Sequence, residues 1–143
     1  MTSIKHLFHI NASPEKVYEA LTTVEGLSKW WTKETSGDTK TGGVLQFRFG
    51  GQGPDMKVKE LKPNELVSWE CVAGAPDWIG SGIHFKLDTN DGKTRVRFEH
   101  GGWKETGDFY ASCSFSWARY MESLRQLCQT GNGEGFGNEA YRK

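Results

Sequence analysis

The last third of the chain sets the strongest limit on its fold. TRVRFEHGGW, residues 94–103, is rich in β-formers and closes in His100, Gly101, Gly102 and Trp103. FYASCSFSWARYMESLRQLCQTGNG follows, residues 109–133, and its apolar residues return at three- and four-residue steps. Cys113, Trp117, Tyr120, Met121, Leu124, Leu127 and Cys128 form one stripe, the pattern of an amphipathic helix. Phe109 and Tyr110 extend the apolar surface, Phe115 lies off the stripe, and Gly131 stands where a helix stops. A helix of this length after the last strand must cover a sheet, and a cavity between the two is the expected result.

The upstream sequence supplies that sheet. Ile4, His6, Phe8 and Ile10 alternate on one face of a first strand. Ser13 and Pro14 then read as N-cap and first position of a short helix, with Lys16 where a capping-box Glu would stand. Leu27, Trp30 and Trp31 suggest a second short helix. Leu45, Phe47 and Phe49 share a strand face after Gly42-Gly43, and GGQGP (residues 50–54) is a turn. Met56 to Leu61 is a strand, Pro63-Asn64-Glu65 a turn, and Val67, Trp69 and Cys71 alternate next. Ile79, Ser81, Ile83, Phe85 and Leu87 predict a long strand, and Asn90-Asp91-Gly92 is the best hairpin signal in the chain. Thr94, Val96, Phe98 and His100 form its partner. Strands joined by short turns make an antiparallel meander. The expected class is α+β, with residues 1–130 as one domain and 131–143 as a polar, Gly-rich, disordered tail.

Composition narrows the function. Lys+Arg and Asp+Glu number 18 each, so no basic field exists to attract a phosphate backbone. Cys71, Cys113 and Cys128 are widely spaced and show no metal-ligand pattern, which reads as reduced thiols in a cytoplasmic protein. His6, His9 and Lys5 interrupt any N-terminal apolar run, and no stretch has the length of a membrane span. GGQGP lacks the Lys-Ser/Thr and helix of a phosphate loop. No metal, cofactor or nucleic acid is expected.

Several ordered segments carry a resemblance. ASPEKVYEALT, KWWT, KVKELKPNELVSWEC, TRVRFEHGGW and SWARYMESLRQLCQTGNG together resemble the Activator of Hsp90 ATPase homolog 1-like family, within the START/Bet v 1-like (SRPBCC) superfamily. The resemblance spans residues 4 to 130. It implies a helix-grip: a curved antiparallel sheet wrapped around a long C-terminal helix, with two short helices closing one end. It also implies a pocket for an apolar molecule, although members range from lipid and hormone binders to cyclases and a co-chaperone. The separate N-terminal domain of the eukaryotic co-chaperone is not seen in this sequence, so the expectation is a stand-alone member.

Parity selects the expected cavity lining. The sheet should present Phe47, Phe49, Trp69, Ile83, Phe85, Val96, Phe98 and His100, and the helix Tyr110, Cys113, Trp117 and Tyr120. Trp31, or its neighbour Trp30, should reach the cavity mouth, with Trp78 and Trp103 at its rim. Ser81 adds a hydroxyl. His100 is either a ligand contact and proton donor or a structural tie between strand end and helix, and the tie is favoured. His84 has the opposite parity and should face solvent, and His6 should be packed. A dry void of ~300 Å³ would cost on the order of 7 kcal/mol, so the aromatics fill the space or water or a ligand occupies it. The favoured function is non-enzymatic binding of a small apolar or aromatic molecule by a monomer or homodimer. The alternatives are a cyclase-type enzyme using His100 with Tyr110 or Tyr120, and a chaperone-partner module using Phe115 and Trp103.

Overall fold

Alternating burial and turn chemistry generate seven strands and three helices in the computed structural model, which describes residues 2–142. Met1 and Lys143, the outer ends of the expected domain and tail, lie outside the described residues. In order these are β1 (Thr2–Ile10), α1 (Pro14–Thr22), α2 (Val24–Trp30), β2 (Glu34–Gly37), β3 (Val44–Arg48), β4 (Asp55–Lys62), β5 (Leu66–Ala73), β6 (Gly82–Asn90), β7 (Lys93–Trp103) and α3 (Asp108–Thr130). The strands form one antiparallel sheet in the order β1-β7-β6-β5-β4-β3-β2. Irregular pairings at Thr2/Ile4, Asp55/Met56 and Val58/Glu60 add local twist to the sheet. This is the helix-grip architecture.

Local chemistry sets the joints. Asp91 and Gly92 both take positive φ (55° and 73°), the primed turn that matches strand twist. Pro63 and a left-handed Asn64 sit in the turn closed by Glu65 N to Lys62 O at 3.0 Å. Ser13 Oγ accepts from Lys16 N, and Thr23 Oγ1 accepts from Gly26 N at 3.0 Å, so each short helix is capped. Trp30 is buried under the helix pair and donates from Nε1 to Ala20 O at 2.9 Å.

Two expectations are corrected, and one strand falls outside those expected. β6 begins at Gly82, not Ile79: Gly80 (φ 86°) turns the chain, Gly80 N bonds Cys71 O, and Ile79 is 54% exposed. β2 is polar (ETSG), shows no apolar alternation, and exists through its pairing with β3. Residues 131–142 of the tail are not disordered: Gly135 N bonds Lys29 O and Phe136 pairs with Thr32 in a parallel bridge.

α2 is packed onto α1 through Gly26, where an added Cβ would stand 2.7 Å from Ala20 Cα and O. Gly26→Ala should therefore destabilise the chain by about 1–3 kcal/mol, the range for overpacking a tight contact. Urea denaturation checks this, and an unchanged midpoint contradicts the packing account.

Candidate functional site

The concave face of the sheet is filled by a closed circuit of rings. Trp31 meets Phe47 (4.3 Å between centroids), Phe47 meets Trp69 (5.6 Å), and Trp69 meets Phe85 (5.3 Å). Phe85 meets Phe98 (5.3 Å), Phe98 meets Trp117 (4.6 Å), and Trp117 returns to Trp31 (5.0 Å). Phe47, Trp69, Ile83, Phe85 and Phe98 are buried in this packing. Tilted and edge-on pairs at these spacings gain about 0.5–1.5 kcal/mol each beyond their area burial. These five residues are core, and the volume they occupy cannot hold a ligand.

His100 sits behind the circuit, wholly buried. Trp117 Nε1 donates to His100 Nδ1 at 3.1 Å, so Nδ1 is the acceptor of the ring. The proton of a neutral imidazole then lies on Nε2, which donates to Ser81 Oγ at 2.8 Å, and the Ser81 hydroxyl donates to Trp78 O. Burial pushes the His100 pKa down to about 4, in keeping with a neutral ring. Both nitrogens are occupied and neither reaches the cleft. Ser81, also buried, is spent in the same chain of bonds.

Beyond the circuit, towards the turn after β3 and the loop before β6, the sheet and α3 diverge. An open cleft of about 660 Å³ lies there, lined by Trp31, Phe49, Trp78, Phe109, Cys113, Trp117 and Tyr120, with Ser116. Gln52, Gly53, Pro54, Gly74 and Ala75 complete it from the two loops. Trp78 and Trp117 lie nearly parallel, 16° apart with centroids at 5.9 Å. Among the described residues no charged side chain lines the cleft. Burial pushes the Cys113 thiol pKa up, and burial followed by the neighbouring Tyr141 raises that of the Tyr120 hydroxyl, so both groups are neutral at physiological pH. Such a surface offers apolar faces and a few neutral donors and acceptors. Among the described residues no cluster of three His, Cys, Asp or Glu side chains is arranged to hold a metal ion.

Of the residues singled out in the sequence, the structure brings Trp31, Phe49, Trp78, Cys113, Trp117 and Tyr120 together at the cleft. Tyr110 is elsewhere: its hydroxyl donates to Ser3 O at 3.1 Å and its ring abuts Trp103. Trp103 is buried against His100 and does not rim the cleft, which also removes it as an exposed partner-binding aromatic. His84 bonds Ser68 Oγ at 2.9 Å on the convex face, and His6 packs near Phe98. Sequence reasoning missed Phe109 and the two loops. Phe109 was visible as an apolar residue at the helix start, whereas the Gly- and Pro-rich loops carry no periodic signal.

The family model for Activator of Hsp90 ATPase homolog 1-like protein matches residues 11–129. The chain is similar to the Aha1 dimer of Colwellia psychrerythraea, known from a solution structure, with 46% identity over 93% of this chain and 100% of that one, at TM-score 0.86. Protein MLL2253 from Mesorhizobium loti shares the fold at 23% identity, covering 88% of this chain and 96% of its own, at TM-score 0.76. CalU16 from Micromonospora echinospora shares it at 18% identity, covering 87% and 73%, at TM-score 0.74. No curated protein matches the chain.

The His100 tie gives stability a pH dependence of defined sign. An unfolded histidine titrates near 6.5, above the folded value of about 4, so the unfolded chain takes up the proton first. The contribution is complete above about pH 6.5 and falls away as pH drops towards 4, by on the order of 3 kcal/mol. His100→Gln should flatten that part of the profile. Urea denaturation of both proteins between these limits checks it, and parallel profiles contradict it.

Proposed function

The chain belongs to the Activator of Hsp90 ATPase homolog 1-like family, and we propose that within it this protein binds a small, uncharged apolar or aromatic molecule in the cleft between the sheet and α3. The observation that carries the reading is the cleft itself: about 660 Å³, walled by three tryptophans, two phenylalanines and a tyrosine, with no charged lining among the described residues. That volume falls within the ~300–1,000 Å³ typical of small-molecule pockets. An exposed apolar concavity of this size is costly to hydrate, and a flat ring system stacked against Trp78 or Trp117 would release that water. The absence of a Lys or Arg anchor makes a carboxylate or phosphate ligand a poor fit, because its charge would be desolvated without a partner.

Catalysis through His100 has less support, since the ring is sealed from the cleft and fully bonded. A homodimer is the proposed assembly, supported by the dimer of the similar Colwellia protein. The proposed setting is the cytoplasm, supported by three free cysteines; no helix among the described residues is long and apolar enough to cross a membrane.

Titration with N-phenyl-1-naphthylamine, a neutral fluorescent aromatic, should quench the intrinsic tryptophan emission and saturate in the micromolar range. Trp78→Ala, which removes a wall without breaking the circuit of core rings, should weaken binding by about tenfold, or ~1.4 kcal/mol. No saturable change with this probe, or equal affinity in the variant, would count against the cleft as the site. Light scattering after size exclusion should give twice the chain mass, and a monomer at all concentrations would refute the dimer.

A further inference from the structure

The C-terminal segment carries an inference that rests on this binding reading and goes beyond it. Residues 131–142 lie outside the stretch that matches the family model, yet they run back along the end of α2 as a strap. Gly135 N donates to Lys29 O (2.9 Å), Phe136 N to Trp31 O (2.9 Å), and Lys33 N to Phe136 O (2.8 Å). Asn138 Nδ2 donates to Ser28 O at 2.9 Å, and Glu134 N donates to Ser123 Oγ at 2.7 Å, which pins the strap to α3 as well. Glycine permits this close approach: a Cβ on Gly133 would lie 2.3 Å from Lys29 O, and one on Gly135 2.8 Å from the same atom.

The strap delivers two rings to the back of the cleft wall. Phe136 packs 5.6 Å from Phe49, and Tyr141 packs 5.2 Å from Phe136. Tyr141 also lies beside Tyr120, the two lining one small surface depression. Phe49 and Tyr120, 6.1 Å apart, are both lining residues, and the third lining residue, Trp31, is held by its backbone carbonyl. Each of these three is therefore braced from behind by a segment that does not itself line the cleft.

We propose that Phe136 and Tyr141 are specificity-determining positioning residues, which fix the Phe49–Tyr120 wall and so set the largest flat apolar molecule the cleft admits. Without Phe136, Phe49 has room to retreat and the cleft lengthens. Without the flush seat at Gly133, the whole strap is displaced and both rings leave the wall.

The test compares two neutral probes, N-phenyl-1-naphthylamine and the larger Nile red, on the full chain. In Phe136→Ala and Gly133→Ala the ratio of affinities should move towards Nile red by about tenfold, within the range that apolar pockets reach in size discrimination. Tyr141→Phe, which loses one hydroxyl and retains the packing, should move the ratio the same way by less. Hydrogen exchange without ligand should rise around Phe49 and Tyr120 in the first two variants and stay unchanged in β6 and β7. Binding with an unchanged ratio, or exchange that does not rise at the wall, overturns the role of the strap and leaves the cleft reading intact. A wild-type chain that binds neither probe counts against the cleft reading and against the specificity role with it.

Discussion

The hydrogen bond from Trp117 Nε1 to His100 Nδ1 is the point on which the architecture turns. It joins the middle of α3 to the end of β7, two elements that would otherwise meet through apolar contact alone. Apolar contact is non-directional, so it holds a helix on a sheet without fixing its rotation. A buried donor with one acceptor in reach does fix it, because rotating α3 would leave an indole N–H and an imidazole nitrogen unpaired, at about 1–3 kcal/mol for each group. With α3 fixed, Trp117 presents one face to Phe98 and another towards the cleft. The onward bonds through Ser81 to Trp78 O extend the same constraint to the loop on the opposite wall.

This constraint separates two uses of aromatic residues that composition alone cannot distinguish. Six rings close on one another and fill the centre of the concave face. Phe49, Trp78, Phe109 and Tyr120 lie outside that circuit and line the cleft together with the loops after β3 and β5. Arg48 stabilises the first of these loops, donating to Gly53 O at 3.2 Å and pairing with Asp55 at 2.8 Å. The cleft is thus a consequence of loops that are held open, and the core behind it supplies the stability.

Much of the fold was legible because periodicity is a direct imprint of burial. Ile83, Phe85 and Leu87 against Val96, Phe98 and His100 gave both strands of the hairpin, and Asp91-Gly92 gave its turn. The stripe on α3 gave its buried face. Parity told which residues point inward, but it could not tell where along the strand packing ends and a cleft begins. Phe47 and Phe49 have the same parity, and one is core while the other is cleft wall. Tyr110 shares the helix with Trp117 but lies at the end where α3 meets β1, and its hydroxyl is drawn to Ser3. β2 was hidden because an edge strand of polar residues has no apolar signature. The tail was misjudged for a related reason: its glycines suggested freedom, whereas at Gly133 and Gly135 they allow contact with the backbone of α2.

The central claim is that one neutral aromatic cleft, and no other surface, takes up a small apolar molecule. The six tryptophan indole N–H groups report on it directly, because they are distributed between core and cleft. Their resonances can be followed in a two-dimensional nitrogen–proton spectrum as N-phenyl-1-naphthylamine is added. The account predicts saturable shifts for Trp31, Trp78 and Trp117, with Trp30, bonded to Ala20 O beneath the helix pair, left unmoved. Shifts spread evenly over all six indoles, or confined to Trp30 and Trp103, would contradict it.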